Sequence, residues 1–265
     1  PTLPKTERKT MPLELVTIPC RTDNYAFLIH DSVTGDTAVI DVPDAGPIAS
    51  ALDARNWRLT DILITHHHDD HIDGVDELRR AHDARVWGAK ADTHRLPRLD
   101  VALEEGDTVN VGAASGTVLD VSGHTMGHIA FHFADDQLVF TADSLMALGC
   151  GRLFEGTPEV MWQSLSKLAA LPGDTTVCSG HEYTEANARF ALTIEPENSE
   201  LISRAEDIRS KRASGQPTVP SLLSTEIATN PFLRAGTPAV KTALGMNTAT
   251  DEAVFAEIRS RKDRF

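Results

Sequence analysis

Over roughly its first two-thirds, the chain alternates short apolar runs with turn residues. Such runs, rich in β-branched and aromatic residues, predict strands. The predicted strands are Glu14–Ile18, Ala26–His30, Thr37–Ile40, Asp61–Ile64, Arg85–Trp87, Gly116–Asp120, Ile129–Phe133, Gln137–Thr141 and Thr176–Cys178. Helical spacing predicts helices between them at Pro47–Asn56, Val75–His82 and Pro158–Ala170, the last with Thr157 as its N-cap. Many strands with interspersed helices favour an α+β fold in which two packed sheets are clad in helices.

The last third of the chain has a different pattern. Its apolar spacing predicts helices at Thr184–Leu192, Asn198–Ala213 and Asp251–Lys262, with Asn198 capping the second, and no strand pattern occurs there. We therefore predict two domains, a mixed domain over residues 1–182 and a helical domain over residues 183–265.

Composition excludes several classes of function. The 265 residues include 39 acidic and 25 basic side chains, a formal net charge of −14, which argues against nucleic-acid binding. No apolar stretch is long enough for a membrane span, and the N-terminus lacks the apolar segment of a signal peptide. The three cysteines are widely separated, which argues against a disulfide framework and favours a reducing compartment. We expect a cytoplasmic monomer without a membrane or nucleic-acid partner.

The sequence THHHDDH, at positions 65–71, is the richest source of candidate chemistry. Imidazole and carboxylate groups of His66, His68, Asp70 and His71 suit divalent metal ions. A solvated polar loop is the simpler interpretation, but a predicted buried strand runs directly into the motif. Loops at strand ends commonly house chemistry, so we predict a metal site.

Further candidate ligands follow other predicted strands. His124 and His181 each come after a glycine at a strand end, and Asp143 ends an apolar strand, where its two oxygens could bridge two cations. Five histidines and two aspartates therefore allow two metal ions with a shared carboxylate. We expect His67 and His128 to support the ligands rather than to bind metal. The remaining histidines, at positions 30, 82, 94 and 132, are expected to lie on the surface or to pack in the core.

Together these motifs resemble the dinuclear branch of the metallo-β-lactamase superfamily, and within it the glyoxalase II (hydroxyacylglutathione hydrolase) family. The resemblance rests on THHHDDH, GHT, AD and GHEYT, and it extends to DNYAFLI (23–29), GCGRLFEGT (149–157), NPFLR (230–234) and RSRKDRF (259–265). It implies a four-layer αββα sandwich followed by a C-terminal α-helical domain.

The resemblance also implies roles for individual residues. One metal falls on His66, His68 and His124, and the other on Asp70, His71 and His181, with Asp143 bridging. Asp70 and Asp143 are then the catalytic carboxylates. The implied substrate contacts are Arg152, Leu153, Phe154, His181, Glu182, Tyr183, Arg259 and Lys262. Guanidinium and ammonium groups suit the two carboxylates of glutathione.

The activity implied by the resemblance is hydrolysis of the thioester S-D-lactoylglutathione to D-lactate and glutathione, the second step of methylglyoxal detoxification. Two divalent ions are implied, with zinc favoured and iron or manganese also acceptable to this ligand set. A glutathione persulfide dioxygenase, which would use one iron, or another hydrolase of the same fold, remains the alternative. A metal-binding module without activity is the competing class outside enzymes.

Four positions depart from the family pattern. Arg152 replaces the usual lysine, and Phe154 stands where tyrosine is frequent, which removes a hydroxyl contact. Asp69 replaces a bulky residue inside the metal motif, and Met126 occupies a position that is usually small or proline. Position 69 should alternate away from the metals, so ligation is expected to survive.

Overall fold

The computed structural model describes residues 13–265. The N-terminal segment, in which the sequence indicates no signal peptide, lies almost entirely outside that range. The strands are β1 Glu14–Cys20, β2 Asn24–His30, β3 Thr37–Ile40, β4 Asp61–Leu63, β5 Arg85–Ala89, β6 Val101–Leu103, β7 Thr108–Val111, β8 Ala114–Asp120, β9 Ile129–Phe133, β10 Leu138–Ala142, β11 Leu145–Met146, β12 Gly149–Cys150, β13 Thr176–Ser179 and β14 Ser221–Leu222. The helices are α1 Ala45–Arg55, α2 Asp69–Ile72, α3 Val75–His82, α4 Pro158–Ala169, α5 Thr184–Ile194, α6 Ser199–Ala213, α7 Leu223–Thr229, α8 Pro238–Ala243 and α9 Asp251–Arg264.

Two six-stranded sheets form the centre of the fold. The first has the order β1-β2-β3-β4-β5-β6, antiparallel through β3 and parallel from β3 to β6. The second has the order β14-β13-β10-β9-β8-β7, in which β10 and β13 are the parallel pair. Phe27 and Ile29 of the first sheet share one buried cluster with Phe131 and Phe140 of the second, so the sheets pack face to face.

Helices cover the outer faces of both sheets. Ile48 of α1 and Leu78 of α3 pack with the outer side chains of the first sheet, such as Ile62. On the second sheet, Leu165 of α4 and Ile258 of α9 belong to the same buried cluster as that sheet's outer residues. The predicted four-layer αββα sandwich with a C-terminal helical region is therefore confirmed. None of the helices in the described range is long and apolar enough to cross a bilayer.

The pattern-based elements agree closely with the structure. Ile129–Phe133, Thr37–Ile40 and Val75–His82 have the predicted bounds. The Thr157 hydroxyl caps α4 by accepting from the Val160 amide (3.4 Å), and Asn198 caps α6 as predicted. These elements are long and periodic, so local sequence determines them.

The expectation of a strand-free last third is wrong. The two-residue strand β14 pairs antiparallel with β13 at the edge of the second sheet. Strands of two or three residues, including β6, β11 and β12, and the short helices α7 and α8 also escaped prediction. Such elements are too short to show a period, and long-range pairing determines them instead.

The NPFLR segment is hydrogen-bonded to the tight hairpin formed by β11 and β12. Asn230 is fully buried, and its Nδ2 donates to the carbonyls of Met146 (3.1 Å) and Gly149 (3.0 Å). The fully buried carboxylate of Glu226 accepts from the Leu148 amide (2.9 Å) in the same hairpin. The helical region therefore provides hydrogen-bond partners for the buried backbone of β11–β12. The chain continues from β12 into the loop that contains Arg152.

Replacing Asn230 by alanine should destabilise the protein by about 2–4 kcal/mol, because two buried carbonyls lose their donor. Chemical denaturation of both proteins measures the change. The matched control is Asn247→Ala at an exposed position, which should stay within about 0.5 kcal/mol of the parent. Equal stability of the two variants would contradict the anchoring role.

Candidate metal centre

The predicted metal ligands converge at one edge of the sandwich. The first sheet supplies the segment Thr65–His71, which follows β4, and α2 turns the end of that segment back toward the centre. The second sheet supplies Asp143 after β10, His181 after β13, and His124 from the loop after β8. Both sheets therefore build the site together, and neither could do so alone.

Three imidazoles form the first ligand set. Nδ1 of His68 lies 3.2 Å from Nε2 of His66 and 3.1 Å from Nε2 of His124. Nitrogen ligands placed tetrahedrally at 2.0–2.1 Å from zinc would be about 3.3–3.4 Å apart. The observed spacing thus fits the corners of a metal coordination shell.

A second set lies beside the first. Nε2 of His71 and Nε2 of His181 are 3.3 Å apart, and Oδ2 of Asp70 lies 3.8 Å from the former and 3.4 Å from the latter. Their ligand atoms also lie close enough together to hold one ion. The structure therefore brings all of the predicted ligands into two adjoining groups.

Asp143 stands between the two groups. Its Oδ2 is 3.5 Å from Nε2 of His124 and 3.2 Å from Nε2 of His181, and its Oδ1 is 3.4 Å from Nε2 of His71. Among the described residues, the buried Oδ1 has no hydrogen-bond partner. A buried carboxylate oxygen without a donor is costly, and a cation shared by both groups would satisfy it. The residues present thus fit a pair of divalent ions.

Hydrogen bonds to the outward-facing nitrogens fix the ligand rings. His71 Nδ1 donates to Asp41 Oδ2 (2.7 Å), and His181 Nδ1 donates to Asp23 Oδ1 (2.9 Å). His124 Nδ1 donates to the carbonyl of Arg152 (2.8 Å). In each case the Nε2 lone pair is directed into the centre, which is the arrangement that supports metal binding.

Sequence reasoning missed three of these supporting residues. Asp41 follows the predicted strand Thr37–Ile40, and Asp23 and Asn24 open the DNYAFLI motif. None of these three positions belongs to a metal-ligand pattern in the sequence. Asn24 Nδ2 donates to Asp70 Oδ2 (3.0 Å) and to the Asp70 carbonyl (3.0 Å). A carboxylate directly after a buried strand was the available signal for Asp41.

The electrostatics of the site match its geometry. Burial alone would raise the pKa of Asp143, yet His71 and His181 hold that pKa well below its usual range. Burial lowers the pKa of His66 and, with smaller contributions from its neighbours, that of His124. The carboxylate is thus charged, and these two imidazoles stay neutral, as metal ligands must be. Burial opposes the charge of His71 and His181, but Asp143 raises the pKa of both, so these two rings would release a proton when a metal binds.

Of the two histidines expected to support the ligands, only His128 contacts them through its ring nitrogens or by stacking. The buried ring of His128 stacks on His66 with 4.6 Å between centroids, and its Nε2 accepts from the Asp143 amide (3.3 Å). Burial lowers the pKa of His128 to about 3, so its ring remains neutral. His67 turns away from the centre, with Nδ1 3.3 Å from Asp92 Oδ2.

A cavity of about 430 Å³ opens directly over the ligands. Six of the predicted substrate residues line it, namely Arg152, Phe154, His181, Tyr183, Arg259 and Lys262. Leu153 instead packs against the apolar cluster below. The Glu182 carboxylate faces away, where it accepts from the Tyr25 hydroxyl (2.7 Å) and the Thr218 amide (2.9 Å).

Arg259 has a structural role in addition to lining the cavity. Its side chain is buried, and its Nη1 donates to the Cys150 carbonyl (2.9 Å). Its Nε and Nη2 donate to Asp263 Oδ1 (3.0 and 2.7 Å), and the guanidinium lies 5.2 Å from the ring centroid of Phe232. The N–H groups of Arg259 that are not engaged in these contacts can donate to a ligand in the cavity.

The positions that depart from the family pattern are mostly exposed. Asp69 is exposed, consistent with the expectation that it alternates away from the centre. Met126 is also exposed, and its backbone amide donates to Glu155 (2.8 Å). Phe154 covers the first ligand set, with its ring centroid 5.2 Å from that of His124 and 5.7 Å from that of His68.

Comparisons with known proteins agree with this geometry. A family model described as hydroxyacylglutathione hydrolase C-terminus matches residues 182–265, and one described as metallo-beta-lactamase superfamily matches residues 22–181. A protein of Cereibacter sphaeroides called hydroxyacylglutathione hydrolase is 68% identical over 255 residues, covering 96% of this chain and 100% of its own. A protein of the same description from Ruegeria pomeroyi is 62% identical, with the same coverage.

Solved structures share the fold at lower identity. ETHE1 from Myxococcus xanthus superposes with a TM-score of 0.62 at 23% identity, covering 95% of this chain and 98% of its own. The BLEG-1 B3 metallo-beta-lactamase superposes with a TM-score of 0.65 at 20% identity, covering 83% of this chain and 99% of its own.

The αββα fold and the site at its edge therefore define a member of the metallo-β-lactamase superfamily. Within that superfamily, the chain belongs to the hydroxyacylglutathione hydrolase family.

The contact between Asp41 and His71 predicts an effect on metal affinity. Asp41→Asn should weaken binding at that ligand set about 10- to 100-fold, because the His71 ring loses its charged acceptor. Competition with a chromophoric chelator measures the affinity. Asp53→Asn, at an exposed position of α1, serves as the control and should bind metal like the parent. Unchanged affinity in Asp41→Asn would refute the orienting role.

Proposed function

We propose that the chain hydrolyses S-(2-hydroxyacyl)glutathione thioesters, with S-D-lactoylglutathione as the principal substrate and D-lactate and glutathione as products. One observation carries the proposal. The two ligand groups and the cationic side chains of Arg152, Arg259 and Lys262 face the same cavity. A reacting thioester at the ligands would thus have its glutathione carboxylates within reach of positive charge.

We propose that His66, His68 and His124 hold one divalent ion, that Asp70, His71 and His181 hold the other, and that Asp143 bridges them. Zinc is the proposed metal, and iron or manganese would also suit these ligands. When bound, such an ion pair supplies a hydroxide at neutral pH and polarises the substrate carbonyl.

The protein's own residues orient this chemistry. Asp41 and Asp23 fix the rings of His71 and His181, and the carbonyl of Arg152 fixes that of His124. Because the Arg152 backbone holds a ligand while its side chain lines the cavity, one loop couples the reacting centre to substrate binding. This coupling would place the thioester relative to the ligands with little freedom.

Hydrolysis does not need a side-chain nucleophile here. Burial raises the pKa of the Cys150 thiol to about 11, so this cavity residue remains a neutral thiol. Water adds to the thioester carbonyl and the carbon–sulfur bond breaks. The sulfur leaves as a thiolate, and because thiols have a pKa of only about 8.5, this departure does not require a strong acid.

Local charge overcomes the acidity of the whole chain. The net charge of −14 repels an anionic substrate at long range, but screening limits that field to about 8 Å at physiological salt. The cavity wall beyond the carboxylates of Asp70 and Asp143 carries the cations of Arg152, Arg259 and Lys262. They supply the attraction that a dianionic glutathione moiety requires.

The second ligand group bears on the alternative activity. A dioxygenase that works with one iron would need only one of the two ligand sets. Asp70, His71 and His181 add a complete second set at coordination distance. This duplication favours the two-metal hydrolase over the persulfide dioxygenase and over a closed metal-binding module, since the cavity leaves the centre open.

We further propose a division at residues 182/183 and a monomer that acts in the cytoplasm. The two matched family regions meet at residues 181 and 182, which supports that boundary. The three cysteines are all free and buried, which suits a reducing compartment.

The direct test of function is steady-state hydrolysis of S-D-lactoylglutathione beside S-lactoyl-N-acetylcysteamine, which lacks both carboxylates. The proposal predicts a kcat/KM at least 100-fold higher for the glutathione ester, about 2.7 kcal/mol of carboxylate recognition. Equal turnover of both esters would show a thioesterase without glutathione specificity. No thioester hydrolysis, together with oxygen uptake on glutathione persulfide, would establish the dioxygenase instead.

Asp143→Ala should reduce kcat by about 10³-fold or more, since it removes the carboxylate that lies between the two ligand groups. Asp69→Ala, one step outside the ligand set, is the matched control and should retain activity. Near-normal hydrolysis by Asp143→Ala would refute the bridging role.

A further inference from the structure

Lys262 is a cation without an anionic partner. It lines the cavity and is partly buried, and within residues 13–265 its ammonium forms no hydrogen bond or ion pair. Arg259, one helical turn earlier, is instead neutralised by Asp263 at 2.7 Å. The two cations of α9 that line the cavity are therefore not equivalent, and the full charge of Lys262 remains available to a ligand.

Two aromatic rings hold this ammonium in place. Nζ of Lys262 lies 5.3 Å from the ring centroid of Phe190 and 5.4 Å from that of Phe265. The rings contact each other edge to face at a centroid distance of 5.5 Å. Phe190 is buried in the core, whereas Phe265 is 63% exposed. An exposed aromatic ring in this position is unexplained by core packing.

The surroundings of Lys262 oppose its charge. Burial, followed by Arg259, Arg189 and Arg152, lowers the pKa of Lys262. Without restraint, a lysine with four rotatable bonds would turn its ammonium into water, away from these cations. The negative faces of aromatic rings attract an ammonium without neutralising it, whereas a carboxylate would neutralise it.

We propose that Phe265 is a positioning residue of the glutathione site, which together with Phe190 clamps the Lys262 ammonium at the cavity wall for a substrate carboxylate. The inference rests on the proposed function and adds a residue to it. Phe265 acts through Lys262 and does not take part in the reaction at the metal ligands.

Phe265→Leu tests the clamp, because leucine keeps apolar bulk but lacks an aromatic face. We expect KM for S-D-lactoylglutathione to rise about three- to tenfold with kcat unchanged, in line with the strength of such contacts. Phe265→Tyr keeps the ring and should restore the parent KM. Ile227→Ala, which trims another exposed apolar side chain of the helical region, should leave both constants unchanged.

A double-mutant cycle separates positioning from packing. Lys262→Met should raise KM by itself, and adding Phe265→Leu to it should have little further effect, because the clamped charge is already absent. An equal rise of KM in both backgrounds would overturn the inference, since Phe265 would then act independently of Lys262. So would an unchanged KM in Phe265→Leu.

Binding of glutathione itself, measured by titration calorimetry on the metal-loaded protein and the same variants, gives a readout independent of turnover. The clamp is supported, even if hydrolysis fails, when Phe265→Leu weakens glutathione binding in the parent protein but has no further effect in the Lys262→Met background. A Phe265→Leu variant that binds like the parent, while Lys262→Met binds weakly, overturns the clamp and leaves the proposed function intact. No loss of binding in Lys262→Met removes both the clamp and the assigned role of Lys262.

Discussion

The buried carboxylate of Asp143 is the constraint on which the rest of the site depends. A charge removed from water at this depth requires compensation, and among the described residues that compensation comes from His71, His124 and His181. These imidazoles arrive from segments after β4, β8 and β13, so they meet only when the two sheets are packed. Folding therefore also assembles the candidate metal ligands.

The supporting hydrogen bonds extend this dependence outward. Asp41 and Asp23 hold the far nitrogens of two ligands, and the Arg152 carbonyl holds a third. The loop of Arg152 follows a hairpin whose backbone is satisfied by Asn230 and Glu226 of the helical region. The helical region thus contributes to the geometry of the metal centre as well as to the cavity above it.

Features that depend on residues close together in the sequence could be predicted, whereas features that depend on contacts between distant residues could not. Strands such as β9 show their period locally, and THHHDDH is a compact motif, so both were predictable. The orientation of Glu182 was not, because it depends on Tyr25, which lies far away in the sequence. The contacts of Asp41 and Asn230 were likewise not predictable, even though Asn230 belongs to NPFLR, because both contacts form only in the folded chain.

Under the proposed function, substrate recognition depends on local charge rather than overall charge. The chain is strongly acidic, yet α9 and the loop after β12 place cations around one cavity. Those cations differ in how they are held: Arg259 is paired with Asp263, whereas Lys262 rests between aromatic rings. A site that must attract an anion needs at least one positive charge that the protein leaves uncompensated.

We propose that two metal ions, held by ligands from both sheets, act together in thioester hydrolysis. The most direct measurement adds zinc stepwise to metal-free protein and records bound metal and S-D-lactoylglutathione hydrolysis in the same sample. We expect activity to saturate at two ions per chain. Full activity at one ion, with no gain from the second, would contradict it.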